Sequence, residues 1–175
     1  MKINEELIEE IKKLKEERNA LILVHNYQSS EIYEVADYIG DSLGLSRKAA
    51  ETSKDVIVFC GVKFMAETAK ILSPDKTVLL PVFDAGCPMA DMITEEELRE
   101  FKKQHPGAAV VAYVNTNAGV KMEADVCCTS GNAVALVNNM KEDTILFVPD
   151  KNLGDYIQSK TNKKVISWGG ELLCS

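Results

Sequence analysis

Apolar positions along the chain change period from stretch to stretch, and the changes mark alternating helices and strands. Residues 4 to 18, NEELIEEIKKLKEER, put Leu7, Ile8, Ile11 and Leu14 at helical spacing with glutamates ahead of lysines, which predicts an amphipathic surface helix. Leu21 to Val24 is a continuous apolar run, the pattern of a buried strand, and it delivers His25-Asn26-Tyr27-Gln28 at its carboxyl end. Ser30 to Tyr38 suits a short helix running into a short strand, and Gly40-Asp41-Ser42 a turn. A helix over Leu43 to Thr52, capped by Asp41 or Ser42, a strand over Val56 to Cys60, a helix over Val62 to Leu72 with Phe64, Met65, Ala69 and Leu72 inward, and a strand over Val78 to Pro81 complete the first half.

The second half repeats the order. Thr94-Glu95-Glu96-Glu97 is a capping box, with Ile93 and Leu98 placed as its hydrophobic staple, and it predicts a helix from Glu95 to about Gln104 that His105-Pro106-Gly107 stops. A strand over Ala109 to Val114, a glycine-containing turn and a short strand over Ala124 to Cys128 follow. Thr129-Ser130-Gly131-Asn132 opens a helix to about Met140 with a hydroxyl at its cap, and strand, helix and strand recur over Ile145 to Val148, Leu153 to Gln158 and Val165 to Trp168. Alternating strands and helices imply parallel sheets covered on both faces.

The two halves match at a constant offset of 88 residues. His25, Tyr27, Asp37 and Ser42 fall on Tyr113, Asn115, Asp125 and Ser130; Phe59 falls on Phe147, Lys63 on Lys151 and Val78 on Ile166. The expected architecture is therefore α/β, with two pseudo-symmetric three-layer αβα modules of short parallel sheet, residues 1–87 and 88–175.

With 46% hydrophobic residues among 175, the chain has the apolar content for one good core or two small ones. Twenty Lys and Arg against 27 Asp and Glu give a net charge of -7 with no basic cluster, which argues against nucleic acid or an anionic membrane and for a small-molecule ligand. The longest apolar stretch, Ala108 to Val114, is far too short to span a bilayer, and the charged start is unlike a signal sequence, so a cytoplasmic location is expected. Five cysteines without a secretory signal make a disulfide framework improbable and leave thiol or metal chemistry open.

If the modules are related by rotation, their matched strand ends face one cavity lined by His25, Tyr27, Ser42, Tyr113, Asn115 and Ser130. Donors and helix N-termini of that kind suit a small polyanion. Cys87 and Cys174, 87 residues apart, follow the last strand of each module and form a candidate metal or cluster site. Plainer readings stand beside these: His25 as a hydrogen-bonded structural residue, Ser42 and Ser130 as helix caps, and Cys60, Cys127 and Cys128 as small buried hydrophobes.

Six stretches together, His25-Asn26-Tyr27-Gln28, Gly40-Asp41-Ser42-Leu43, Gly61-Val62-Lys63-Phe64-Met65-Ala66-Glu67, Cys87-Pro88-Met89-Ala90, Tyr113-Val114-Asn115 and Thr129-Ser130-Gly131-Asn132-Ala133, resemble the quinolinate synthase family. The resemblance implies three α/β modules around a [4Fe–4S] cluster, one cysteine from each, and condensation of iminoaspartate with dihydroxyacetone phosphate to quinolinate in NAD biosynthesis. It makes Cys87 and Cys174 cluster ligands, His25, Tyr27 and Tyr113 catalytic, and His25, Ser42, Tyr113, Asn115, Ser130, Phe64 and Met65 substrate-binding. It also implies L-aspartate oxidase or dehydrogenase as the supplier of iminoaspartate. The family continues past Cys174 into a third module, whereas this sequence ends at Ser175. An incomplete form with an exposed apolar seam, meeting a companion chain or itself, is the expectation. The alternative is a non-catalytic two-module domain that binds a small phosphate or dicarboxylate.

Overall fold

The computed structural model describes residues 5–169. The chain divides into two compact units, Met1–Ala85 and Gly86–Ser175. In the first, helix α1 (Glu5–Glu17) leads into β1 (Ala20–His25), a 3-10 turn (Ser30–Val35) and β2 (Tyr38–Gly40). Helix α2 (Ser42–Glu51), β3 (Val56–Cys60), α3 (Lys63–Leu72) and β4 (Thr77–Leu79) follow. The second holds α4 (Glu95–Gln104), β5 (Ala109–Tyr113), α5 (Ala118–Glu123), β6 (Val126–Cys128), α6 (Ala133–Asn139), β7 (Thr144–Val148), α7 (Lys151–Gln158) and β8 (Lys164–Ser167). Each unit has one four-stranded parallel sheet, in the orders β2-β1-β3-β4 and β6-β5-β7-β8. This is the α/β architecture of two αβα layers that the alternating pattern predicts.

The repeat extends to single hydrogen bonds. The Asn26 N–H donates to the Gly40 carbonyl at 3.0 Å, and 88 residues later the Val114 N–H donates to the Cys128 carbonyl at 2.8 Å. Lys76 Nζ donates to the carbonyls of Thr52 and Lys54, and Lys163 Nζ to those of Met140 and Glu142, so each unit ties a helix C-terminus to the edge of its sheet with one lysine. Cations there oppose the negative end of the helix dipole.

In the second unit both sheet faces are closed. Val110, Ala112, Leu146 and Val148 pack with Ile93, Leu98, Phe101 and Val120 on one side. Ala109, Val111, Ile145 and Phe147 pack with Ala133, Val137 and Ile157 on the other. The capping box at Thr94 forms as expected: its Oγ1 accepts from the Glu97 N–H at 3.2 Å, and Glu97 Oε2 accepts from the Thr94 N–H at 2.8 Å. Ile93 and Leu98 are both fully buried, which completes the staple. Trp168 caps this face, edge-on to Phe101 at 5.3 Å with its Nε1–H donating to the Met92 carbonyl at 3.4 Å.

The first unit is closed on one face only. Leu23, Ile57, Phe59, Leu45, Ala49 and Ala69 have no exposure. On the other face Ile22, Val24 and Val35 are buried, but Val58 and Cys60 are only partly so. There α1 contributes no buried residue and leaves an apolar groove of about 680 Å³, lined by Leu7, Ile11, Ile22, Val56, Val58 and Leu79 among others.

Several expectations are corrected. The stretch after Tyr113 is more than a turn: Asn117 caps a short helix, α5, by accepting from the Val120 N–H at 3.1 Å. Leu72, expected inward, is half exposed, because the buried face of α3 runs through Phe64, Met65, Ala66 and Ala69 and the last turn lies beyond it. Cys127 is exposed, since β6 is a three-residue edge strand on which neighbouring side chains alternate between faces.

Candidate functional site

The first unit places its site residues by strand register. β1 and β2 run parallel with His25 opposite Gly40, so the end of β1 and the start of α2 lie side by side at the carboxyl edge of the sheet. Ligands bind at that edge in open parallel sheets. Asp41 caps α2, accepting from the Gly44 N–H at 2.7 Å, and this leaves Ser42 as the first helical residue with its hydroxyl directed elsewhere. Ser42 Oγ lies 3.5 Å from His25 Nε2. The Tyr27 N–H donates to His25 Nδ1 at 3.3 Å, and the two rings meet edge-on with centroids 4.5 Å apart. His25 is 4% exposed, whereas Tyr27 is 87% exposed and presents its phenol outward.

Burial pulls the His25 pKa below its ordinary value, and the carboxylate of Asp41 offsets only part of that effect. At neutral pH the imidazole is uncharged. The first turn of α2 adds backbone N–H groups that no earlier turn can satisfy, so imidazole, hydroxyl and helix start make a donor-rich corner suited to a carboxylate or phosphate oxygen.

The corresponding corner of the second unit differs. Tyr113 ends β5 opposite Cys128 and is half-buried, as is Asn115. The expected hydroxyl cap of α6 is not formed by Ser130. The cap position is Asn132, whose Oδ1 turns back to accept from the Thr129 N–H at 2.7 Å, while Ser130 is exposed in the turn. Phe64 and Met65, in the first turn of α3, are buried at 3% and 6% exposure. The structure thus brings His25, Tyr27 and Ser42 together in one unit and sets Tyr113, Asn115 and Ser130 around a strand end of the other.

Two residues outside the sequence reading hold these turns. The Tyr33 hydroxyl donates to the Asn26 carbonyl at 2.9 Å, and the Thr116 hydroxyl, fully buried, donates to the Tyr113 carbonyl at 3.1 Å. Neither belongs to a recognisable motif, and the signal that finds them is spatial.

Cys87 is half-buried in the loop that opens the second unit, with its carbonyl accepting from the Asp91 N–H at 3.1 Å. Cys174 lies outside the described residues. Among the described residues no group of three or more His, Cys, Asp or Glu is arranged to hold a metal ion. An iron–sulfur cluster takes a thiolate on each protein-bound iron, and one is too few, so the described residues do not by themselves fit such a cluster. Burial pushes the Cys60 thiol up and, with Cys127 adjacent, takes Cys128 to about 12, leaving both protonated at neutral pH.

The profile of the family described as Quinolinate synthetase A protein matches residues 9–175. The chain belongs to that family. It is 62% identical over 164 residues to the quinolinate synthase of Methanoregula boonei, covering 94% of this chain and 54% of that protein. It is equally identical, over 164 residues and with the same coverage, to the quinolinate synthase of Dehalococcoides mccartyi. With the quinolinate synthase of Clostridium perfringens it shares 59% identity over 163 residues, 93% of this chain and 54% of that one. The chain thus spans about half the length of the quinolinate synthases it matches. No helix among the described residues is long and apolar enough to cross a membrane.

Proposed function

We propose that this chain is the substrate-binding part of a quinolinate synthase, a cytoplasmic enzyme of NAD biosynthesis that joins iminoaspartate to dihydroxyacetone phosphate with loss of phosphate and water. The observation that carries the reading is the pairing of uncharged His25 with Ser42 at the start of α2, inside a family match that runs over residues 9–175. Both substrates are small anions, one with two carboxylates and one with a phosphate, and O–H and N–H donors at a helix start favour such groups. In this reading His25 and Ser42 orient a substrate carboxylate or phosphate. In the first unit the exposed phenol of Tyr27 moves protons at the substrate, and in the second unit Tyr113 is the proton-moving phenol and Asn115 and Ser130 are the donors. Phe64 and Met65 are the apolar members of the substrate-binding set. Cys87 and Cys174 are this chain's thiolates for a [4Fe–4S] cluster, the remainder coming from a companion chain or a further segment. L-aspartate oxidase or dehydrogenase supplies the iminoaspartate.

The test is anaerobic reconstitution with iron and sulfide, with the chain alone and with the portion of the Methanoregula boonei protein that lies beyond the matched residues. Quinolinate formed from iminoaspartate and dihydroxyacetone phosphate in the combined sample supports the proposal. Absence of quinolinate from every combination, with both proteins folded, would sink it. The second reading, a two-unit domain that binds phosphate or a dicarboxylate without catalysis, is favoured by the same His25 and Ser42 corner, whose donors bind an anion without any cluster. Phosphate or aspartate binding without any quinolinate in the same samples would select it.

A further inference from the structure

A neutral imidazole has one N–H and one lone pair, and the environment decides which nitrogen carries the hydrogen. Around His25 the choice is made by the backbone. The Tyr27 N–H points at Nδ1, which must therefore accept, so the hydrogen sits on Nε2, the nitrogen nearest Ser42 Oγ. In this state His25 is a donor toward the corner and has no lone pair there with which to act as a base.

That arrangement depends on the shape of a short turn. The N–H of Asn26 is tied to Gly40, and the N–H of Gln28 donates back to the His25 carbonyl at 2.9 Å. The carbonyl of Asn26, between them, is held by the Tyr33 hydroxyl at 2.9 Å. Tyr33 comes from the 3-10 turn, where Ile32 and Tyr33 pack against the buried Ile22, Val24 and Val35. Its position is therefore set by the core and not by the site. The phenol is a rigid rod from the core to one peptide plane, and rotation of that plane would swing the next N–H, that of Tyr27, away from Nδ1. Asp41 is the charged group facing His25, and its carboxylate favours a second proton on the ring.

We infer that Tyr33 is a positioning residue: by holding the Asn26 carbonyl it aims the Tyr27 N–H at His25 Nδ1 and so fixes His25 as an Nε2–H donor beside Ser42. The inference deepens the reading of this corner as an anion site, and only its consequence for ligand binding rests on that reading.

The experiment is nitrogen-15 NMR of the imidazole rings in the full chain, which has two histidines, with His105→Gln used to assign them. The wild-type spectrum should show Nδ1 unprotonated and Nε2 protonated for His25. In Tyr33→Phe, which keeps the ring and removes the hydroxyl, the two tautomers should mix and the Tyr27 amide should exchange about fivefold faster, the effect of losing one hydrogen bond. An Nδ1–H tautomer in the wild type would overturn the inference whatever the variant does. So would a folded Tyr33→Phe with the wild-type nitrogen pattern and the wild-type Tyr27 exchange rate. Inorganic phosphate is then titrated into both proteins. Failure to perturb the Ser42 and Leu43 amides of the wild type would remove the anion-site reading while leaving the tautomer result standing. Weaker phosphate binding by Tyr33→Phe would link the two.

Discussion

Asp37 and Asp125 make the same contact in two places. Asp37 Oδ2 accepts from the Ile22 N–H at 2.8 Å, and Asp125 Oδ2 accepts from the Val110 N–H at 2.7 Å, each pair 15 residues apart. The N–H of each aspartate returns to the carbonyl of the same partner. Every copy thus closes a ring between the middle of its central strand and the start of its edge strand, so the corner beyond that strand has a set depth.

Asp125→Ala should therefore cost about 1.5–3 kcal/mol, the usual worth of a hydrogen bond to a charged group. Asp37→Ala should cost more, because its Oδ1 also receives Lys15 of α1 at 2.7 Å. Urea unfolding of the two variants checks the order. Equal midpoints would show that the Lys15 pair contributes nothing.

Acid should destabilise the first unit through His25. Its pKa in the fold lies below the ordinary 6.5, so the unfolded chain takes up the proton first. The stability this group contributes is present above pH 6.5 and is lost as pH falls through the lower folded value. His25→Gln should flatten that part of the curve of melting temperature against pH. A slope unchanged from wild type would show that His25 does not set the acid sensitivity in that range.

Removing either donor from the corner should weaken anion binding. Ser42→Ala and His25→Ala are each expected to lower phosphate or aspartate affinity by about ten- to a hundredfold, since a hydrogen bond to a charged group is worth about 1.5–3 kcal/mol. Ser130→Ala should have a smaller effect, because Ser130 is exposed in its turn. Calorimetric titration reads all three, and a Ser130→Ala loss as large as that of Ser42→Ala would reverse this ranking.

The cysteines should separate by role. Cys87→Ser is expected to abolish iron uptake on anaerobic reconstitution and to leave the melting temperature unchanged, since a half-buried loop thiol makes little packing. Cys128→Ser should lower stability by about 1–3 kcal/mol, by burying a hydroxyl at a site with 2% exposure, and should not alter iron content. Iron content unchanged in Cys87→Ser would remove this residue from the proposed cluster.

The alternation of apolar runs with capping signals made the sheets and most helices legible in the sequence. Leu21 to Val24 and Val110 to Ala112, short apolar runs, read as inner strands, and Thr94 with Glu97 marks its helix to the residue. The 88-residue offset carried the Asp37 and Asp125 landmarks, which make matching hydrogen bonds. It misled at Ser130, where Asn132 takes over the turn, because a matched hydroxyl says nothing about which neighbour reaches the backbone first. Helix α5 was hidden by Gly119 and by the shortness of the segment. Tyr33 and Thr116 could not be found by pattern, since each acts by reaching across a turn to a carbonyl.

The groove beside α1 also sets the order in which the molecule opens. Trp168, Phe101 and Ile93 pin α4 and its sheet face together, whereas α1 has no fully buried side chain and leaves Leu7 51% and Leu14 44% exposed. Local openings cost least where few apolar contacts must be broken. In hydrogen–deuterium exchange, the amides of α1 should take up label well before those of α4, although the two helices occupy equivalent places in their units.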